Sequence, residues 1–302
     1  MIKKVIKRLA GIIDNSNSIH KDETGLLAIG AMLSKQQLLM NSNNINDYEF
    51  KIFSQWGDDG IIQYLIKNVA IETETFIEFG VENYEESNTK FLMMNDNWSG
   101  FVMDGSYKAM NYLKNQSWYW KYSLINKAVF IDKDNINNLL ASTGFSNIGL
   151  LHIDIDGNDY HILTEIDLSK LNPSIIIMEY NCVFGKDRFI TVPYDKNFIR
   201  TKAHYSNLFF GASLPAFDYA LSKNGYSLIG CNLAGNNAYF VRNDLLNEKV
   251  KKISAEKAYK ESKFRESRNK DYSLSYIDGK ARLDLIKGLM VMNVKTMELE
   301  KL

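Results

Sequence analysis

From Phe50 onward the chain alternates short apolar runs with stretches of helical period. The runs are Thr75–Gly80, Gly100–Asp104, Leu124–Ile131, Gly149–Asp156 and Ser174–Asn181, and segments such as Tyr107–Gln116 and Asn135–Thr143 between them follow the helical repeat. Strand alternating with helix predicts a parallel sheet covered on both faces. Next comes an irregular stretch, Cys182–Ser206, longer than most connections and therefore a candidate lid or substrate loop. A helix is expected over Ser213–Asn224, then two further strands at Tyr226–Cys231 and Ala238–Arg242. Their joint, Leu233-Ala234-Gly235-Asn236-Asn237, is hairpin chemistry, so these two strands run antiparallel. Five β-α units closed by a hairpin differ from the six-parallel-strand dinucleotide fold.

The flanks read differently. Lys3, Lys4, Lys7 and Arg8 alternate with Ile2, Val5, Ile6 and Leu9, a short basic amphipathic helix that reads as a surface helix, with weak peripheral membrane contact as the second reading. A second helix is expected over Gly25–Met40 and a polar loop over Asn41–Asp47. The tail is charged and helical in period, and Leu283, Ile286, Met290, Val294 and Met297 form an apolar stripe that packs on the domain or on a second copy of the chain. The expected organisation is a helical extension over 1–49, one α/β domain over 50–246 and a helical tail over 247–302.

The composition narrows the function. Lys and Arg number 36 and Asp and Glu 36, so no global field draws the 302-residue chain to nucleic acid. No apolar run approaches the ~20 residues that cross a bilayer, which predicts a cytoplasmic protein without a transmembrane segment. Cys182 and Cys231 lack metal-ligand spacing and read as buried and reduced.

In an open parallel sheet the ligand lies at the carboxyl ends of the strands. Here those ends carry Glu78 and Gly80, then Asp104, Asp132, Asp154 with Asp156, and Glu179 with Asn181. One acid at a strand end often caps the next helix. So many in one crevice require a cation, a metal, or hydroxyl and amine donors. The first loop, Glu78-Phe79-Gly80-Val81-Glu82-Asn83-Tyr84-Glu85-Glu86-Ser87, has only one of the three glycines of a dinucleotide fingerprint, and Glu82, Glu85 and Glu86 repel phosphate. S-adenosylmethionine carries no phosphate and offers a sulfonium, an amine and two ribose hydroxyls. Asp104 is placed to accept from both hydroxyls.

The pieces Glu78-Phe79-Gly80, Ser87-Asn88-Thr89, Gly100-Phe101-Val102-Met103-Asp104-Gly105, Leu151-His152-Ile153-Asp154-Ile155-Asp156-Gly157-Asn158-Asp159-Tyr160 and Glu179-Tyr180-Asn181 resemble FkbM-type class I methyltransferases. Ser54-Gln55-Trp56-Gly57-Asp58-Asp59-Gly60 and Asn232-Leu233-Ala234-Gly235-Asn236-Asn237-Ala238-Tyr239-Phe240 are similar to flanking elements of that family. The resemblance implies a Rossmann-like class I methyltransferase sheet, five parallel strands plus a C-terminal antiparallel hairpin, with helical extensions at both ends. It also implies an S-adenosylmethionine pocket holding Glu78, Gly80 and Asp104, with Asn88, Gly105 and Asp154 from the same motifs and Asp132 near the adenine. Bacterial members often serve surface-polysaccharide synthesis, which makes a sugar or glycan precursor the expected acceptor.

Methyl transfer to oxygen needs a hydroxyl that loses its proton as it attacks. Asp156, Glu179 and Asn181 offer hard oxygen ligands suited to Mg²⁺ rather than zinc. Macrolide-sugar O-methyltransferases, which the region distantly resembles, carry a His three residues beyond the first acidic ligand. Asp159 stands there, so it is one candidate base and His204, just past the candidate lid, is the other. His152 reads as a buried structural histidine. Two rival readings remain: a metal-dependent nucleotide-sugar glycosyltransferase using Asp154 and Asp156, and a non-catalytic scaffold whose acidic crevice is filled by its own Lys or Arg. The tail stripe makes a homo-oligomer joined through the C-terminal helix a further expectation.

Overall fold

The computed structural model of the protein describes residues 23–262 and 266–302. The basic helix expected over the first residues, and the membrane contact with it, lie outside that range. Helix α1 occupies 23–36. Then follow α2 (Asp58–Asn68), β1 (Thr73–Phe79), α3 (Lys90–Asp96), β2 (Ser99–Asp104), α4 (Tyr107–Lys114), β3 (Leu124–Ala128), α5 (Ile136–Thr143), β4 (Ile148–Ile153), α6 (Asp159–Glu165), α7 (Leu168–Leu171) and β5 (Ile175–Glu179). Beyond them lie β6 (Ile190–Thr191), α8 (Arg200–Ala203), α9 (Leu214–Lys223), β7 (Tyr226–Cys231), β8 (Asn237–Arg242), α10 (Ala255–Ala258), α11 (Gly279–Ile286), β9 (Met290–Asn293) and β10 (Glu298–Lys301).

Seven strands form the main sheet in the order β3-β2-β1-β4-β5-β8-β7. Strands β1 to β5 pair in parallel, and β8 lies antiparallel between β5 and β7. It follows that β7 points the same way as the first five and β8 alone is reversed. The sheet is the expected α/β sheet, its five parallel strands and antiparallel hairpin making seven.

Alternation divides the core into two layers. Ile77, Phe79, Met103, Leu151, Ile153, Ile176 and Met178 face one side with α5, α6 and α9, while Phe76, Val102, Leu150, Ile175 and Ile177 face the other with α2, α3 and α4. Strand order reverses between β1 and β4, which opens the crevice there. The ladder puts Glu78 directly beside His152. Strand β4 stops at Ile153, so Asp154 and Asp156 belong to a loop, and Asp156 takes a left-handed φ of 57°. Period-two alternation therefore does not govern them.

The tail is not a continuous helix. Helix α11 ends at Ile286, Gly288 takes a φ of 87°, and β9 and β10 then form an antiparallel hairpin. Strand β9 pairs antiparallel with β6, which lies inside the irregular 182–206 segment. The five stripe residues thus lie on three different structures. Ile286 and Val291 are buried against Ile190, Val192 and Leu208, Leu283 packs partly buried beside them, and Met290 and Met297 are exposed. The stripe seals this chain's own lid segment rather than presenting one helix face to a second copy. Among the described residues no helix is long and apolar enough to cross a membrane. Cys182 and Cys231 are free and buried.

Candidate active site

Two cavities meet at the carboxyl ends of β1, β2 and β4. The larger, of about 500 Å³, is lined by acids and amides including Glu78, Asn88, Asp154, Asp156, Glu179 and Asn237. The smaller, of about 150 Å³, lies between the ends of β2 and β4 against Met103, Asp104, Gly105, Phe130, Ile131 and Phe198. Gly80, Glu82, Asp154 and Asp156 line both.

Gly80 has a φ of 72°, and a Cβ there would stand 1.5 Å from the Asp154 carbonyl oxygen. Only glycine lets the two strand ends approach so closely. The close approach of β4's loop therefore demands the glycine, and Gly80 still lines both cavities. Glu82 and Tyr84 also adopt left-handed conformations, at 46° and 66°. Tyr84 is fully buried with its hydroxyl bonded to Thr89, and the Glu82 amide donates to Asp104 Oδ2 at 2.9 Å. Asp104 Oδ1 accepts from the Ser106 amide at 2.7 Å, so the carboxylate is held at the mouth of the smaller cavity with lone pairs to spare.

Glu78 is buried and already well partnered. Its Oε1 meets His152 Nδ1 at 2.9 Å and the Asn88 amide at 3.1 Å, and its Oε2 accepts from Ser87 Oγ at 2.7 Å and from Thr89 Oγ1. Burial alone raises this carboxyl's pKa, but the His152 imidazole and the two hydroxyls outweigh it and hold Glu78 below its ordinary value. Burial likewise lowers His152, and Glu78 more than restores it, so His152 sits above its usual range. The pair forms a rigid charged floor, and Asn88 Nδ2 closes it at 3.3 Å from His152 Nε2.

Above this floor lie Asp154, Asp156 and Glu179, each offering a carboxylate oxygen within 4.8 Å of the others. Burial, and then Asp156, push the Asp154 carboxyl up to about 7. Burial, and then Asp154, push Glu179 well above its usual range. Glu179 is 8% exposed and, among the described residues, nothing hydrogen-bonds to its Oε2. Such crowding is unfavourable unless a proton or a cation is shared. One cation is built in: Arg200 of α8 places Nη1 2.6 Å from Asp156 Oδ1. The other guanidinium nitrogens reach Glu266 and the Asn207 carbonyl, and its plane lies 3.5 Å from the Phe210 ring centre. An arginine of the chain in the acidic crevice is what the scaffold reading predicted, yet it meets Asp156 and leaves Glu179 Oε2 without a partner.

Several predicted site residues serve the chain itself. Asn181 donates from Nδ2 to the Leu208 and Phe210 carbonyls and accepts the Val183 amide, so it ties down the 182–211 segment and has no oxygen turned to a metal. Its place in the carboxylate set is taken by Asp154. Asp159 is fully buried, with one oxygen on the Ile155 amide and the other on the Gly157 amide, both at 2.8 Å. Burial brings its carboxyl to about 6, but it lines neither cavity and acts as the clamp of the β4–α6 loop, not as a base. His204 bonds Ser206 Oγ at 2.7 Å through Nδ1, and it too lines neither cavity. Asp132 accepts the Asp134 and Asn135 amides and pairs with Lys196 at 3.1 Å; it caps the approach to α5 and stands outside both cavities. Phe130 and Ile131, just before it, are the residues that do line the smaller cavity.

Three further segments that line the larger cavity come from distant parts of the chain. Asp59 Oδ2 gathers the Ile52, Phe53 and Ser54 amides, which shapes the loop carrying Gln55 and Trp56. Asp58 Oδ1 accepts from Asn232 Nδ2 and Asn237 Nδ2, both at 2.9 Å, and from the Tyr239 hydroxyl. The two flanking motifs therefore meet through one carboxylate, and Gln55, Trp56, Asn236 and Asn237 share a wall. The third segment is a tail strap bearing Glu266, Arg268 and Leu274. Arg200, Glu266 and Arg268 gave no sequence signal, because nothing in their local pattern links them to the strand ends.

Comparison with known proteins adds the family. No curated protein matches the sequence. Among solved structures the chain is similar to an O-methyltransferase from Bacillus cereus in complex with SAH, at 10% identity over 72% of this chain and 91% of that one with a TM-score of 0.41. It is similar to PKMT2 from Rickettsia typhi in complex with AdoHcy, at 12% identity over 67% and 56% with a TM-score of 0.42. The N-terminal domain of EvdMO1 with SAH bound matches at 9% identity over 63% and 80% with a TM-score of 0.40. Likenesses this loose do not bear on substrate. The model of the methyltransferase FkbM domain, by contrast, matches residues 66–228, more than half of the chain. That span covers β1 to β5, the whole smaller cavity and the three carboxylates, which displaces the glycosyltransferase and scaffold readings. The chain belongs to the FkbM family of S-adenosylmethionine-dependent methyltransferases.

Proposed function

We propose that the protein transfers a methyl group to a hydroxyl of a sugar or glycan precursor in the cytoplasm, with a divalent cation such as Mg²⁺ held by Asp154, Asp156 and Glu179. The observation that carries this reading is the junction of the two cavities at Gly80, Glu82, Asp154 and Asp156. In this reading the smaller cavity would hold the donor's adenosine, with Asp104 accepting from its ribose hydroxyls and Phe130 and Ile131 lining the place of its base. The bound donor supplies an electrophilic methyl on a positively charged sulfur, and the acidic junction favours that charge. The acceptor enters the larger cavity, where Gln55, Asn236, Asn237 and Arg268 offer hydrogen bonds of the kind a polyhydroxyl molecule needs, beside the Trp56 indole.

The carboxylate site suits a hard cation: its ligands are oxygens, they lie within 4.8 Å of one another, and the buried Glu179 Oε2 has no protein partner among the described residues. A cation there lowers the pKa of an acceptor hydroxyl and fixes its direction. The protein's own part is to orient the hydroxyl, keep water out under the tail strap and hold the Glu78–His152 floor rigid.

Calorimetry with S-adenosylhomocysteine, with UDP-sugars and with Mn²⁺ tests this. The expected result is heat with the first and the third, loss of Mn²⁺ binding in Asp154→Asn and Glu179→Gln, and retention of S-adenosylhomocysteine binding in both. Tight UDP-sugar binding with no S-adenosylhomocysteine heat overturns the assignment of the junction, and Mn²⁺ binding unchanged by both substitutions removes the cation from it.

A further inference from the structure

We infer that Arg200 is the internal counter-ion of the carboxylate site and competes with a divalent cation for Asp156, so that cation binding unlatches the tail strap over the larger cavity. The inference rests on the cation reading above and deepens it into a mechanism of access.

Arg200 joins three segments. Its Nη1 holds Asp156 on the β4–α6 loop at 2.6 Å, its Nη2 holds Glu266 at the start of the strap, and its Nε donates to the Asn207 carbonyl at 3.0 Å. Among the described residues the strap at this end mostly folds back on itself. Residues 268 and 274 bridge antiparallel, the Ser275 amide donates to the Ser267 carbonyl, and the Arg268 amide donates to the Ser206 carbonyl at 3.0 Å. Glu266, Arg268 and Leu274 all line the cavity, so the strap is its outer wall and Arg200 is the joint between that wall and the acids of β4.

A divalent cation on these carboxylates approaches its oxygens to about 2.1 Å. If it used the oxygen that Arg200 already holds, it would stand within about 5 Å of Nη1, a like-charge contact in a partly buried site. The guanidinium has a second carboxylate ready in Glu266, and its stacking on Phe210 does not depend on Asp156. Losing Asp156 therefore leaves Arg200 paired with Glu266 but releases that pair, and the strap it holds, from the β4–α6 loop. Aspartate with both charges in place, one on each oxygen, is the competing arrangement, and the strap distinguishes the two.

The test uses the full chain with Mn²⁺ as the probe, its binding read by electron paramagnetic resonance and the strap read by hydrogen exchange over 266–275. Expected are about tenfold tighter Mn²⁺ binding in Arg200→Met than in the natural protein, and faster strap exchange when Mn²⁺ is added to the natural protein. In Arg200→Met the strap exchanges fast with or without Mn²⁺. Arg200→Lys keeps the charge but cannot span two carboxylates, so its strap is fast before any ion is added, which guards against a misfolded methionine variant. Binding seen only in Arg200→Met also supports the competition. If Mn²⁺ binding is lost in Asp154→Asn, but Arg200→Met binds no tighter or strap exchange ignores the ion, the inference is overturned while the cation reading stands. If neither the natural protein nor Arg200→Met binds Mn²⁺, both fall.

Discussion

Burial gives the same residue type opposite roles here. Glu78 and Glu179 are both glutamates at strand ends and both almost wholly buried, yet Glu78 is held below its ordinary pKa by His152 and Glu179 is driven well above it. The first had a basic neighbour across one ladder step, and the second has only Asp154 and Asp156 close by against a more distant Arg200. This makes a pH prediction. Asp154 loses its proton near 4 when the chain is unfolded and near 7 when folded, so the native state binds the proton more tightly. Its contribution is therefore most favourable below about pH 4 and is lost as pH rises from about 4 to about 7. In a chelator, Asp154→Asn is expected to gain about 2–4 kcal/mol on the natural protein between pH 5 and pH 8, read by thermal unfolding, and saturating Mg²⁺ shrinks that gain. Gly80→Ala is the converse case. Its methyl meets the Asp154 carbonyl and its φ disfavours any side chain, so a loss of at least ~2 kcal/mol in urea unfolding is expected, with weaker donor binding. Asp104→Asn keeps the acceptor for the Glu82 amide but removes the charge, and about tenfold weaker S-adenosylhomocysteine binding by calorimetry is expected.

Among elements, the strands were legible because each is a buried apolar run bounded by polar turns. Tyr226–Cys231 runs as expected to the residue, and β8 begins one residue earlier, at Asn237. Ends were less legible: β3 and β4 stop before the apolar pattern does, because a strand stops where its neighbour's ladder stops, and Phe130, Ile131 and Ile155 are apolar for reasons of cavity and loop packing. The tail was misread for a related reason. Positions 283, 286, 290, 294 and 297 satisfy helical spacing, but Gly288 breaks the helix and Val291 pairs into a hairpin, a choice set by β6 waiting as an unpaired edge. The link between elements carries a prediction of its own. Asp58→Ala removes the shared acceptor of Asn232, Asn237 and Tyr239, and a loss of about 3 kcal/mol in urea unfolding is expected. Donor affinity is expected to hold within about threefold, because no partner of Asp58 lines the smaller cavity.

For the whole molecule, the family segment at 66–228 supplies the smaller cavity and the carboxylates, and the regions around it add Gln55, Trp56, Asn236, Asn237, Glu266, Arg268 and Leu274 to the larger cavity. Removing residues 279–302 takes away Ile286, Val291 and Val294 and leaves Ile190, Val192 and Leu208 uncovered. We expect a lower Tm and new dye binding to exposed apolar surface, while hydrogen-exchange protection of β1 and β4 persists. The sequence by itself determined the alternation of strands and helices from Thr73 to Arg242, the reversed strand and the acidic strand ends, because each depends on local periodicity, turn chemistry or charge within a few residues. Only the tertiary structure decided which acids are spent. Asn181, Asp159 and Asp132 are consumed by backbone amides or carbonyls, and Glu78 by His152, leaving Asp154, Asp156 and Glu179 as the carboxylates gathered in the crevice. It also brought Arg200 and Glu266 to them from segments far along the chain. A polar side chain's role depends on which partners reach it first, and those partners are set by packing rather than by neighbouring sequence.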